Sequence, residues 1–212
     1  MKRYPVPAEP VRREITVVNS RFIASLAPAF SVEEARAYIA QVKADFPDAS
    51  HHVPVYLLGH GASVTAHCSD AGEPSGTAGR PALAVLQGSG LGDVVVVITR
   101  YFGGTKLGTG GLVRAYSDAV REVVLAVRRA ERVPTHTIMV ELPYALLERA
   151  RRLVLIHHGQ MLDEDFTSNV VITARFAVED LPAFQSGLTE LSNGTIHPEI
   201  IESGDVLMPL SS

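Results

Sequence analysis

Apolar residues recur along this chain with two different periods, and each change of period marks an element. In residues 14–26, Ile15 and Val17, then Phe22, Ala24 and Leu26, fall on alternate positions and predict a strand. Ser31 and Glu34 form a capping box, and Val32, Ala35, Ile39, Val42 and Phe46 follow at helical spacing until Pro47 forbids continuation. Residues 53–58 and 62–68 are β-rich runs around Gly59-His60-Gly61, which predicts a hairpin whose first run is an edge or strand end because of Pro54. Pro81 opens a short helix through Leu86, and residues 94–99 read as a strand buried on both faces. The next helix buries a stripe running from Leu112 through Tyr116 to Val127; it is expected to end near Arg132, with Pro134 closing a domain.

Residues 135–212 continue as strand (135–142), helix from Pro143, strands 160–167 and 170–179 joined at Ser168-Asn169, and a helix that Asp180 caps and Asn193-Gly194 ends. A last strand spans residues 195–203. The order βαββαβ, with right-handed crossovers, predicts a split-βαβ, ferredoxin-like sandwich whose last strand lies at an edge, the one place where Pro198 is tolerable. We therefore expect an α+β protein with domains 1–134 and 135–212.

Composition agrees with a folded chain. At 46% hydrophobic and 20% charged, with 17 Gly and 13 Pro, it lies outside the disordered and collagenous classes, and 212 residues suit one large domain or two small ones. Cys68 has no intramolecular partner, and Met1 is followed by Lys2-Arg3 and by Pro5, Pro7 and Pro10 rather than an apolar signal core, so the expected location is the cytoplasm. The longest apolar runs, residues 94–98 and 123–127, fall far short of the roughly 20 residues that span a bilayer, so no membrane partner is expected. The net charge of −4 hides a division: residues 1–134 carry 15 Lys and Arg against 12 Asp and Glu, whereas residues 135–212 carry 4 against 11. Only the first part is suited to nucleic acid; the second should repel phosphate.

The candidate chemistry gathers in two loops. In residues 100–116 a buried strand feeds a glycine-rich loop and then a helix, whose first N–H groups are unpaired and carry partial positive charge. Arg100, Lys106 and Arg114, with the backbone at Gly103, Gly104, Gly108, Gly110 and Gly111, are the candidate anion- or nucleic-acid-binding residues. Lys106 precedes Gly108, so this is no Walker A loop, and Val113 breaks the dinucleotide fingerprint. The alternative is that the glycines serve turns and close packing alone. Asp70, Glu73, Ser75, Thr77 and Arg80 form a second loop, either a facing wall of the same site or a set of turn and helix caps in which Ser75 or Thr77 caps the next helix. His60, His67 and Cys68 lack zinc-ligand spacing, no nucleophile elbow is present, and no metal, cofactor or catalytic set is expected.

Residues 69–81 (SDAGEPSGTAGRP) and 100–116 (RYFGGTKLGTGGLVRAY) closely resemble the signature blocks of the YigZ/Impact family. The resemblance extends to Ser20-Arg21-Phe22-Ile23 and His51-His52, and the acidic tail looks like the family's bacterial C-terminal module. It implies a first domain built like the second domain of ribosomal protein S5 and a tail like the last domain of the translocating elongation factor. Ala71 stands where the family usually has a second Asp, and Val53-Pro54-Val55 where a Cys or aromatic commonly follows the His pair. Eukaryotic Impact proteins regulate translation initiation through a stress-activated kinase pathway, using an additional N-terminal recognition domain not found in these 212 residues. The expectation is a non-enzymatic protein that binds RNA or a ribosome-associated partner and influences translation. The alternatives are an enzyme or sensor acting on a small phosphorylated ligand, and an adaptor using the tail's edge strand.

Overall fold

The computed structural model describes residues 4–61 and 64–209; residues 1–3, and Ala62 and Ser63, expected to open a strand, lie outside the described residues. The chain divides into two compact units, Met1–Glu131 with Met208–Ser212, and Arg132–Leu207. Each is a mixed assembly of helices and antiparallel strands.

The first unit runs β1 (Pro5–Pro7), β2 (Val11–Val17), β3 (Ser20–Pro28), α1 (Val32–Asp45), β4 (His51–Leu58), β5 (Thr65–Cys68), α2 (Gly79–Gly88), β6 (Val94–Tyr101) and α3 (Gly108–Ala126). One antiparallel sheet has the order β2-β3-β6-β4-β5. The central place of β6 explains its unbroken run of valines, since α2 and α3 cover the face of Val94, Val96 and Ile98 while α1 covers the face of Val95. Each such side chain contributes roughly 1.5–3 kcal/mol by leaving water. Ser31 starts α1 by accepting from the Glu34 N–H at 3.1 Å, and the Glu34 carboxylate accepts from the Phe30 N–H at 2.8 Å, one residue before the cap.

Three expectations change. The strand over residues 14–26 is two strands, because Val18-Asn19 makes a two-residue turn and Val18 adopts φ +49°. Pro54 lies in β4 between β6 and β5, yet its carbonyl accepts from the Ser69 N–H at 3.2 Å, so its missing donor points past the end of β5 rather than into β6. Finally, α3 ends at Ala126, because Val127 is extended and residues 129–131 pair with β1; Pro134 lies inside the strand that follows.

That strand, β7 (Arg129–Leu142), leads into the second unit, followed by a 3₁₀ turn (Tyr144–Leu146), α4 (Leu147–Ile156), β8 (Gln160–Phe166), β9 (Val170–Ala177), α5 (Leu181–Leu191) and β10 (Glu199–Pro209). The strand order is β10-β7-β9-β8, and Ile138, Ile172 and Phe176 face Val154, Phe184 and Leu188 of the two helices. Pro198 falls just before the edge strand β10. Asp180 occupies the N-cap of α5 but makes no side-chain cap, its backbone being already helical at φ −89°, ψ −26°. No described helix is long and apolar enough to cross a membrane.

Candidate functional site

Strand alternation sets which residues of the first unit meet beneath the entrance of α3. Val94, Val96, Ile98 and Arg100 share the face covered by α2 and α3, so Arg100 ends the strand pointing beneath α3. There it meets Glu73: Arg100 Nη1 donates to Glu73 Oε1 at 2.6 Å, and the Tyr116 hydroxyl from α3 donates to the same oxygen at 2.7 Å. Arg100 Nη2 donates to Ser20 Oγ at 3.3 Å, and Ser20 Oγ accepts from the Gly103 N–H at 3.2 Å. One polar chain thus joins α3, the loop before α2, the end of β6, the start of β3 and the glycine-rich loop. Glu73 and Arg100 are 8% and 5% exposed, so the two charges balance each other out of water. Burial, with the bond to Glu73 and its charge, keeps the Tyr116 phenol protonated far above the ordinary range. His51 Nδ1 donates to the Ala71 carbonyl at 3.0 Å, and its Nε2 lies 3.9 Å from Glu73 Oε1.

Arg100 was expected to be an available cation; it is instead a buried partner of Glu73, because the sheet ends where the loop before α2 closes over it. The entrance of α3 is different. Leu107, at the N-cap, supplies no side-chain acceptor, so the first N–H groups of the helix lack a side-chain cap. Gly104 and Gly108 adopt φ +82° and +71°, conformations that suit glycine, and space is open where a Cβ would stand on Gly104, Gly108 and Gly110. Gly111 is closer, a Cβ there meeting Leu107 Cβ at 3.1 Å, and Gly103 is architectural, since a Cβ would fall 2.0 Å from the Asn19 backbone. Lys106 is exposed and makes no ion pair or hydrogen bond among the described residues; Arg114 is exposed and its Nε reaches the Gly110 carbonyl at 3.5 Å.

In the second loop, Asp70 caps α2 from upstream, accepting from the N–H groups of Gly76 (2.8 Å), Ala78 (3.1 Å) and Gly79 (2.8 Å). Burial alone would raise its carboxyl; those three bonds and the Arg80 charge outweigh it and hold the group below the usual range. Thr77 Oγ donates to the Pro74 carbonyl at 2.7 Å and Ser75 is exposed, so neither caps α2, whose N-cap is Ala78. Arg80 is also exposed. The two loops meet through the buried Glu73–Arg100 pair. Sequence pattern placed Tyr116 in an apolar stripe and gave Ser20 and His51 no role of their own; a tyrosine on a buried helical face beside a loop carboxylate was the available signal.

These features define a class: a two-unit protein with a glycine-rich helix entrance braced from beneath by a buried ion pair. The Impact N-terminal domain matches residues 18–124, and a domain of unknown function (DUF1949) matches residues 140–195. The chain belongs to the Impact family. It is 35% identical, over 97% of its length, to an IMPACT family member of Haemophilus influenzae (strain Rd), and 34% identical, over 95%, to the IMPACT family member YigZ of Escherichia coli (strain K12); each match covers 100% of the relative. A crystal structure of a hypothetical protein is similar with a TM-score of 0.64 at 34% identity, over 95% of this chain and 98% of that one.

Proposed function

We propose that the first unit binds RNA, free or in a ribosome-associated particle, through the entrance of α3, and that the protein influences translation through that contact rather than through catalysis. The observation that carries this reading is the entrance itself: N–H groups without a side-chain cap, open space at Gly108 and Gly110, and the exposed cations Lys106 and Arg114 on either side. A phosphate there meets aligned N–H donors, the positive end of the helix dipole and two full charges. Arg100 acts from below by holding Ser20, and through it the Gly103 N–H, in place. The strand order β10-β7-β9-β8, with both helices on one face, supports a ferredoxin-like second unit; α2 and α3 packed on one face of the first sheet support the S5-like reading. Asp70 is engaged by backbone N–H groups and Glu73 by Arg100 and Tyr116, which ranks the small phosphorylated ligand second.

The test is the salt dependence of binding to a labelled single-stranded oligoribonucleotide. Each phosphate contact steepens the dependence of log K on log salt by about 0.7, so Lys106→Ala with Arg114→Ala should flatten it by about 1.4 and weaken binding at every sequence. Binding indifferent to salt and to both substitutions would remove the proposal.

A further inference from the structure

Phe102 is the feature of the glycine-rich loop that phosphate binding leaves unexplained. It is 49% exposed, directly before Gly103, whereas Leu107, the other large apolar residue of the loop, packs against the core. Its ring does not hang free: the Arg100 guanidinium lies 5.6 Å from its centroid, and the same guanidinium lies 5.4 Å from the buried Phe22 ring. The Phe102 N–H donates to Ser50 Oγ at 3.1 Å, fixing the backbone from the β4 side. Arg100 is 5% exposed and held by Glu73 and Ser20, so the support beneath the ring is rigid, while its Nε lacks a hydrogen-bond partner among the described residues. The residue is nonetheless half-exposed.

We infer that Phe102 is a stacking platform for an unpaired RNA base, so that the site selects single-stranded over duplex RNA. The inference rests on the RNA reading of the α3 entrance and names the form of RNA that it takes. A pinned aromatic ring loses little entropy when a base settles on it, and every base offers a π-face, so stacking is tolerant of sequence. A duplex keeps its bases stacked on one another and offers the loop only backbone, whereas a splayed single strand offers both groups. Lys106 and the first N–H groups of α3 follow Phe102 within a few residues, so a short strand lying along the loop meets the ring and then the cations. Arg21 stacks on Tyr101 at 4.5 Å, but Tyr101 alternates to the opposite sheet face and is no part of this platform.

The full chain is titrated at fixed salt with a labelled oligoadenylate and with the same strand annealed to its complement. Phe102→Leu keeps apolar cover over Arg100 but removes the π-face; single-strand affinity should fall about tenfold or more, with duplex affinity and salt slope unchanged. Phe102→Tyr should bind as the parent does. Thermal unfolding of each variant shows whether the cover over Arg100 survives. The inference is overturned if the parent binds single strand while Phe102→Leu binds it equally well, or if that variant loses both forms in proportion. A parent that binds neither form overturns the α3 reading and this inference with it.

Discussion

Burying Glu73 and Arg100 together removes both charges from water, so each depends on the other. Truncating one partner strands the other, and Glu73→Ala should cost about 3–5 kcal/mol of stability, read from the urea midpoint. A double-mutant cycle with Arg100→Ala should be non-additive by more than about 1 kcal/mol, because the second truncation removes the stranded charge. Asp70 acts locally: Asp70→Ala leaves three N–H groups of the α2 entrance without their acceptor and should cost about 0.5–2 kcal/mol. Burial pushes this carboxyl up, but the N–H bonds and Arg80 push it down further, so its folded value lies below the unfolded one. Its stabilisation is therefore complete above the unfolded value of about 3.9 and is lost as pH falls through the lower folded value. Unfolding curves of parent and Asp70→Ala should stay a constant distance apart from about pH 7 to 5 and converge below about pH 4.

At the scale of elements, legibility followed local chemistry. The start of α1 was readable because Ser31 and Glu34 are three residues apart, and β6 because a strand covered on both faces leaves an unbroken apolar run. The turn between β2 and β3 was hidden because Val18-Asn19 holds no glycine and one residue is β-branched. The end of α3 was hidden because no Gly or Pro marks Val127; the change to strand is set by pairing with β1, more than a hundred residues away in sequence. The two loops of the site were readable as loops, but Glu73 and Arg100 lie 27 residues apart and meet only because the sheet places them so, and no spacing rule predicts that. The glycines of the entrance now divide by role. Gly110→Ala meets nothing within 4 Å and lies in the first turn of α3, so it should raise the thermal midpoint, as a gain of roughly 0.5–1 kcal/mol, yet weaken RNA binding because its methyl takes the open space proposed for a phosphate. Gly103→Ala, forced onto the Asn19 backbone, should destabilise by about 1–3 kcal/mol.

Across the whole molecule, the acidic tail opposes the partner that the first unit is proposed to bind, and salt decides how far that opposition reaches. Residues 135–212 carry 11 Asp and Glu against 4 Lys and Arg. Some of these acids are engaged: Arg151 donates to both oxygens of Glu164, at 2.7 and 2.5 Å. Asp163 and Asp165, on the edge strand β8, are exposed and make no such bond among the described residues. Their field extends about 30 Å at 0.01 M ionic strength and about 8 Å at 0.15 M. Asp163→Asn with Asp165→Asn removes two of the chain's negative charges and should therefore raise oligoribonucleotide affinity more at the lower salt than at the higher. Lys106→Ala should weaken binding at both, since the proposed phosphate contact releases counterions at either salt. Equal effects of the aspartate pair at both salts would mean that β8 touches the RNA, and the division of labour between the two units would then have to be redrawn around a second contact.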